Sequence, residues 1–163
     1  MRELILEVKN LTKNFDGFLA VDNISFDIEK GEIVGFLGPN GAGKTTTLTM
    51  LLGITKPTQG EVKIFDLNFK ENREKILKKV NYASAYSFFQ GRITVHENLN
   101  VFCLSLRSEK PKRKNRKLLK DFELTDLRNQ LAGTLSSGQL TRLSLCKSLL
   151  NDLELLFLDE PTA

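Results

Sequence analysis

The first part of the chain alternates hydrophobic and polar residues in the way that predicts β-strands. "LILEVKNL" and "ISFDI" both alternate, and the turn "EKGE" leads from the second into the apolar run "IVGFLG", which also predicts a strand. "KPTQGE" predicts a turn and "VKIF" a short strand. Near the end, the aliphatic run "LELLFL" predicts a fully buried strand that stops at Asp159 and Glu160. Strands are therefore expected on both sides of a helical region.

Helical spacing of apolar residues predicts four helices. The first opens at "KTTTLTMLLGI", after a glycine-rich loop, and the second covers Thr94 to Leu106, where Thr94 and Glu97 form a capping box. His96, the single histidine, is expected to be an exposed residue of that helix's first turn. The third helix runs roughly from Lys112 to Phe122.

The fourth helix begins in "LSSGQLTRLSLCKSLL", where Ser136 and Gln139 have capping-box spacing. Its predicted buried face consists of Leu140, Leu143, Cys146 and Leu150.

Length and composition indicate one soluble globular domain. The 163 residues are 40% hydrophobic and 27% charged. No apolar run approaches the roughly 18 residues that span a bilayer, and the N-terminus lacks the pattern of a signal peptide. A cytosolic location is therefore expected. Cys103 and Cys146 have no second cysteine or histidine at metal-ligand spacing, which predicts two reduced core residues.

The net charge of +4 comes from one segment, "RSEKPKRKNRK", at 107–117. This segment holds seven of the 24 basic residues and one of the 20 acidic ones, so the rest of the chain has a net charge of −2. Such a segment can bind nucleic acid or anionic lipid, or it can be a solvated helix face. Because no aromatic residue interrupts it, it offers no platform for base stacking, and the solvated face is favoured.

The glycine-rich loop has the complete spacing G-x-x-x-x-G-K-T of a phosphate-binding loop, the Walker A motif, after an apolar run and before a helix. Glycine permits positive φ and a close approach of backbone to phosphate, and the N–H groups at the helix start then point at the anion. The lysine places a positive charge on the β- and γ-phosphates, and the threonine hydroxyl is an Mg²⁺ ligand. The predicted ATP-binding residues are Gly38, Pro39, Asn40, Gly41, Ala42, Gly43, Lys44, Thr45 and Thr46.

The run "LLFLDE" supplies carboxylates at the end of a predicted strand. Asp159 is placed to hold Mg²⁺ together with Thr45, and Glu160 to act as the general base that polarises the attacking water. The same pattern without a phosphate loop would be only a strand that ends in exposed acids.

With "GPNGAGKTTT", "LSSGQ" and "LDEPTA" in this order, the chain resembles the nucleotide-binding domain of an ATP-binding-cassette (ABC) transporter from about Glu3 to its last residue. The resemblance implies an α/β P-loop NTPase fold with an N-terminal antiparallel β part, a parallel core sheet and a helical subdomain near residues 86–150. It implies ATP and Mg²⁺ as ligands. The segments "GPNGAGKTTTLTMLLG" and "KPTQGEV" look most like export-type ATPases that work with a separate permease.

The resemblance also gives "LSSGQ" a second role beside capping. In the family, two domains pack head to tail, and the signature helix of one points its N-terminus at the γ-phosphate held by the other. This implies contacts from Ser136, Ser137, Gly138 and Gln139. Ser137 stands where the family usually has glycine, a change that costs little if its φ is negative.

Family members stack an aromatic residue on adenine at the end of an early strand. "LTKNF" matches that place at Phe15, and Phe18 is the alternative.

Two features depart from the family pattern. Ala85 stands where a glutamine usually senses Mg²⁺ and the transmembrane partner, and Gln90, five residues later, is not expected to replace it. The sequence also stops at "DEPTA", before the D-loop and switch histidine of the family. Residues 1–163 alone are therefore expected to hydrolyse ATP very slowly.

The implied partners are a transmembrane permease subunit and a second nucleotide-binding domain, on the cytoplasmic face of the cell membrane; no specific nucleic acid is expected. Two alternatives stay open. One is a non-catalytic nucleotide-binding fragment, and the other is a soluble ABC ATPase that acts on ribosomes or nucleic acid.

Overall fold

The computed structural model describes residues 3–84, 89–105, 111–151 and 153–159. The chain forms two compact units that divide between Lys78 and Lys79. The first unit carries the glycine-rich loop, and the second carries the predicted signature helix and the acidic strand end. Each unit has its own sheet and helices.

The first unit is built on a four-stranded antiparallel sheet with the order β2-β1-β3-β4. Its central strand, β1, contributes the fully buried side chains Leu6, Val8 and Leu11, which confirms the alternating run as a strand. The elements of this unit are β1 (Leu4–Phe15), β2 (Phe18–Glu29), α1 (Lys44–Leu51), β3 (Gln59–Ile64), β4 (Leu67–Asn68) and α2 (Phe69–Leu77).

A two-residue turn joins β1 to β2. Asp16 and Gly17 both have positive φ, 46° and 99°, which is the conformation that matches the right-handed twist of a hairpin. The Asn14 side-chain oxygen accepts a 2.8 Å hydrogen bond from the Gly17 N–H. The turn therefore places Phe15 and Phe18 opposite each other at the end of the hairpin.

The run "IVGFLG" is not a strand, so that prediction is wrong. Residues 32–39 have no ladder hydrogen bonds, and Ile33 and Leu37 are 99% and 96% exposed. Only Phe36 packs in part, edge-on against Phe26 of β2, with 5.2 Å between ring centroids. A strand exists through hydrogen bonds to a neighbouring strand, and no strand within the described ranges pairs with this run.

The second unit combines a parallel pair of strands with three helices. Strands β5 and β6 pair from Val80 opposite Leu155 to Ser84 opposite Asp159. A short 3-10 turn, Ala132–Thr134, precedes the last helix. The elements of this unit are β5 (Val80–Ser84), α3 (Val95–Ser105), α4 (Pro111–Asp121), α5 (Ser137–Ser148) and β6 (Leu155–Asp159).

The helices of this unit form where the sequence predicted them. At the start of α3, the Thr94 N–H donates to the Glu97 carboxylate at 2.8 Å and the Glu97 N–H donates to the Thr94 hydroxyl at 3.2 Å, which confirms the capping box. On α5, the predicted face is confirmed, because Leu143 and Cys146 are fully buried and Leu140 packs at the edge of the same core. Leu150, just beyond the helix, is buried in the same cluster.

Both cysteines are reduced residues of the helical core, as expected. Cys103 is 2% exposed, and its thiol donates to the Asn115 side-chain oxygen at 3.0 Å. Cys146 is fully buried, and this burial raises the pKa of its thiol to about 12. A thiol with so high a pKa is not a reactive nucleophile at neutral pH.

His96 is not the exposed residue that the sequence suggested. Its Nε2 atom lies 3.1 Å from the Asn100 amide and 3.3 Å from the Arg128 guanidinium, so the ring is half-buried between them. Both neighbours carry N–H groups that can donate to this ring nitrogen. Asn100 is four residues away on the same helix face, whereas Arg128 comes from a distant loop that sequence spacing does not reveal.

Strand β6 is less buried than predicted. Phe157 is 5% exposed, but Leu158 on the other face is 42% exposed. Within the described part of the chain, β6 pairs with β5 alone, so one of its edges has no strand partner there. None of the helices built from the described residues is long and apolar enough to cross a membrane.

Candidate functional site

Gly43 fixes the geometry of the phosphate-binding loop. It is the N-cap of α1, with φ of 82° and ψ of 6°, a conformation that side chains other than glycine rarely adopt. A β-carbon there would lie 2.4 Å from the Ala20 carbonyl oxygen and 3.0 Å from the Val21 side chain. Gly43 is therefore required both by its backbone angles and by its close approach to β2. Gly41 also has positive φ, 85°.

The Lys44 side chain extends back along the loop that precedes it and binds the backbone of that loop. Its Nζ atom donates to the Gly38 carbonyl at 2.8 Å and to the Pro39 carbonyl at 2.9 Å. The ammonium group is thus held on the inner side of the loop, next to the start of α1. Since no side chain caps this helix, the N–H groups of its first turn and the ammonium together form a site of positive potential.

The hairpin aromatics lie near this loop. Gly43 packs against Ala20, which follows Phe18 by two residues, a distance of about 7 Å along a strand. Phe15 is 46% exposed and Phe18 is 67% exposed, so both rings present apolar surface. The Lys13 ammonium lies 4.6 Å from the centroid of the Phe15 ring and occupies one of its two faces. Either phenyl ring has an open surface for an adenine, and the choice of Phe15 stays a prediction.

The signature segment begins α5 with a complete capping box. The Ser136 N–H donates to the Gln139 side-chain oxygen at 2.8 Å, and the Gln139 N–H donates to the Ser136 hydroxyl at 3.3 Å. Ser137 is the first residue of the helix and has negative φ, so replacing the family's glycine causes no backbone strain here. A β-carbon at Gly138 would meet nothing within 4 Å. The helix N-terminus is therefore open toward solvent at Ser136, Ser137 and Gly138.

Asp159 has a partner that sequence reasoning missed. The phenol of Tyr82 donates a 3.1 Å hydrogen bond to the Asp159 carboxylate. The parallel register produces this contact, because Tyr82 lies opposite Phe157, two residues before Asp159 on β6. Burial, and then the negative charge of Asp159, raise the pKa of Tyr82, so the phenol remains a proton donor at neutral pH. No motif in the sequence signals this pair.

The donor atoms predicted for Mg²⁺ have the chemistry that this ion requires. Thr45, an exposed residue in the first turn of α1, carries a hydroxyl, and Asp159 carries a carboxylate at the end of β6. Mg²⁺ is bound through oxygen ligands, commonly one or two side chains with water and phosphate. Two further predicted positions, Ala85 and Glu160, lie outside the described residues.

Gln90 is fixed through its backbone. The Gln90 N–H donates to the Asn98 side-chain oxygen at 2.9 Å, and the Asn98 amide donates back to the Gln90 carbonyl at 3.1 Å. Asn98 is 2% exposed, whereas the Gln90 side chain points to solvent. The structure thus anchors Gln90 to the start of α3.

We therefore expect Gln90→Ala to leave the affinity for MgATP unchanged, because the anchored backbone cannot move this side chain to the place of Ala85. Asn98→Ala is the matched comparison. It removes the side-chain bonds of a buried amide to Gln90 and to the Ile93 and Thr94 carbonyls, and it should lower the free energy of unfolding by about 1–3 kcal/mol. Titration with a fluorescent ATP analogue and chemical denaturation measure the two effects. A large loss of Mg²⁺-dependent binding in Gln90→Ala would contradict the prediction.

Comparison with known proteins agrees with the motifs. The family model for ABC transporters matches residues 21–163. The probable multidrug ABC transporter ATP-binding protein YbhF of Escherichia coli is 36% identical over 163 residues, which cover 99% of this chain and 28% of that protein. The bacitracin transport ATP-binding protein BcrA of Bacillus licheniformis is 38% identical over 158 residues, which cover 97% of this chain and 51% of that protein.

The fold agrees as well. The structure of cbiO1 from Clostridium perfringens, described as part of the ABC transporter complex cbiONQ, superposes with a TM-score of 0.87 at 25% identity. The match covers 99% of this chain and 67% of that one. The chain spans about half or less of the length of the curated relatives named above. With its phosphate loop, signature helix and acidic strand end in family order, this chain belongs to the ABC transporter family and has the fold of its ATP-binding domains.

Proposed function

We propose that this chain binds MgATP and, paired with a second nucleotide-binding domain, hydrolyses it to drive transport through a membrane permease. Residues 38–46 bind the triphosphate, and the signature helix of the partner domain contacts the γ-phosphate. The protein would act at the cytoplasmic face of the membrane. The observation that carries this proposal is the Lys44 ammonium held inside a loop that Gly43 allows to approach β2 closely.

The phosphate loop already holds a cation at the place proposed for the triphosphate. The Lys44 hydrogen bonds to Gly38 and Pro39 join two neutral carbonyls to a cation, so a phosphate oxygen would form a stronger, charge-assisted contact with the same ammonium. Mg²⁺, when bound, bridges phosphate oxygens and neutralises the charge that develops during phosphoryl transfer. Thr45 and Asp159 are the residues proposed to hold it.

Catalysis in this reaction is mostly positioning. Glu160 is proposed as the general base, and the open N-terminus of α5, at Ser136 to Gly138, as the group that completes the site of a partner domain. Phe15 is proposed to stack on adenine. These roles follow the family pattern, and they agree with the exposed Phe15 ring and the exposed start of α5.

The names of the relatives support a transport role. YbhF and BcrA are described as transporter ATP-binding proteins, and cbiO1 as part of a transporter complex. We infer from these similarities that the partner is a separate permease subunit and that the direction is export.

Lys44→Ala tests the ATP site directly. We expect the affinity for a fluorescent ATP analogue to fall at least about tenfold, since a lost charge-assisted contact is worth roughly 1.5–3 kcal/mol. Lys70→Ala, which removes an exposed lysine of α2 in the same unit, is the control and should bind as the parent does. Equal affinity of the parent and Lys44→Ala would disprove the assignment of the triphosphate site.

A further inference from the structure

Helix α4 concentrates positive charge on one short element. Its sequence, "PKRKNRKLLKD", contains six basic residues and one acidic residue, Asp121, in 11 positions. The chain without the basic segment carries net negative charge, so α4 differs in sign from the remainder. Nothing in the proposed ATP chemistry uses these cations.

The outer face of α4 is an open, basic concavity. Arg116, Lys117, Lys120 and Thr125 line a cavity of about 600 Å³, and all four side chains are exposed. Within the ranges that the structure describes, no carboxylate forms an ion pair with any of the three cations. None of these three charges is therefore paired with a carboxylate of the described residues, and all three are accessible from solvent.

The inner face of α4 holds the helix in place. Leu118 and Leu119 are buried in the core of the second unit. Asn115 is fully buried; its amide donates to the Asn100 side-chain oxygen at 3.0 Å, and its own oxygen accepts from Cys103. Because this side is fixed by packing and hydrogen bonds, the cations on the opposite side have a defined arrangement.

We propose that the outer face of α4 binds the anionic phospholipid headgroups of a bilayer. Clusters of four to eight basic residues on an amphipathic helix are attracted to negatively charged membrane surfaces. Two of the three cations that line the cavity are lysines. A lysine ammonium is a compact, strongly hydrated charge, which suits contact with a diffuse anionic surface better than it suits bidentate recognition of one anionic group. The choice of a bilayer rests in part on the proposed function, which places the domain beside a membrane protein.

Nucleic acid fits this surface less well. The nearest aromatic residue, Phe122, packs against the core and is not presented for base stacking. Asp121 ends the helix, and the exposed acidic residues Glu123 and Asp126 follow it, so the basic face does not continue along the surface as a track for a polyanion. The three exposed cations lie within five residues, about 6 Å of helix, which suits lipid headgroups because these need no continuous track.

A protein partner also fits less well. Tight protein interfaces are organised around buried aromatic or aliphatic anchors. The residue that lines this concavity beside the three cations is a threonine. The attraction available here is electrostatic, as at a charged membrane surface.

The test is sedimentation of the 163-residue chain with vesicles, at near-physiological ionic strength. Vesicles of phosphatidylcholine alone are compared with vesicles that also contain phosphatidylglycerol. We expect binding to the mixed vesicles only. Replacing Arg116, Lys117 and Lys120 with glutamine should weaken this binding about a hundredfold, because each cation contributes about a fivefold effect near an anionic surface.

The matched control removes three exposed lysines from the first unit, Lys56, Lys70 and Lys75, also by change to glutamine. It should bind the mixed vesicles as the parent does, and both triple variants should bind the ATP analogue normally. Equal losses in the two triple variants would overturn the proposal, because net charge rather than α4 would then explain binding. Equal binding to both kinds of vesicle would overturn it too, as would tighter, α4-dependent binding to single-stranded RNA. If the unsubstituted chain bound the mixed vesicles but not the ATP analogue, that result would refute the proposed ATPase role and leave the membrane-binding role of α4 standing.

Discussion

Replacing Glu160 with glutamine should reduce ATP hydrolysis by about a hundredfold to ten-thousandfold in the complete protein with its permease, the range that a positioned general base contributes. Glutamine keeps the shape of the side chain but cannot accept the proton of the attacking water. ATP binding should remain, since Lys44 and the phosphate loop are unchanged. We therefore expect the variant to accumulate as an ATP-bound dimer, measured by size-exclusion chromatography with light scattering.

Glu154→Gln is the control for this experiment. Glu154 precedes the same strand and forms an exposed 2.7 Å ion pair with Lys79, an interaction of small energetic value. Its replacement should leave hydrolysis unchanged. If Glu160→Gln hydrolyses ATP at the rate of the parent, Glu160 is not the base.

Gly138→Asp should abolish ATP-dependent dimerisation without harming the fold. A β-carbon at this position meets no atom of its own domain within 4 Å, so the free energy of unfolding should be nearly unchanged. In the proposed dimer the same position faces the γ-phosphate of the partner site. A carboxylate there adds like-charge repulsion, which costs several kcal/mol at an interface and corresponds to more than about a hundredfold in dimer affinity.

Gly138→Ala separates the effect of the added charge on dimerisation from the effect of the added side-chain volume. It adds the β-carbon alone, and alanine favours helix more than glycine does, so thermal stability should be equal or slightly higher. Dimerisation with saturating MgATP, followed by analytical ultracentrifugation, should be lost in Gly138→Asp and largely kept in Gly138→Ala. Normal dimers of Gly138→Asp would show that this helix end does not face a nucleotide.

The features that the sequence predicted well are those determined by near neighbours in the chain. Both capping boxes, Thr94 with Glu97 and Ser136 with Gln139, depend on residues three apart, and both form. The buried face of α5 follows from helical spacing alone. The loop from Gly38 to Lys44 likewise carries its conformation in its own glycines, at Gly41 and Gly43.

The features that were predicted wrongly or missed depend on distant neighbours. "IVGFLG" has the composition of a strand, but it forms none, because a ladder needs a partner that the run itself does not specify. Leu158 is exposed because the burial of a strand's face depends on elements that pack against it, which the aliphatic run itself does not specify. His96 is covered by Arg128, 32 residues away, and this contact has no sequence signature.

Helix α2 was not predicted, although a local signal was present. Asn68 caps it by accepting a hydrogen bond from the Lys70 N–H at 3.0 Å. The residues that follow are mostly charged, and only Phe69 and Ile76 are buried, so the apolar periodicity is weak. The capping residue, rather than the hydrophobic pattern, could have identified the helix.

The hydrogen bond from Tyr82 to Asp159 gives the proposed metal ligand an optical reporter. The chain has no tryptophan and two tyrosines, Tyr82 and Tyr86, so its near-ultraviolet emission comes from those two phenols. A carboxylate that accepts a phenol's hydrogen bond quenches tyrosine emission by taking up the proton in the excited state. An Mg²⁺ ion that engages the Asp159 carboxylate would weaken that acceptor and brighten Tyr82, whereas the protein with Tyr82→Phe should show no such rise. Occupancy of the carboxylate could then be followed in real time without any label.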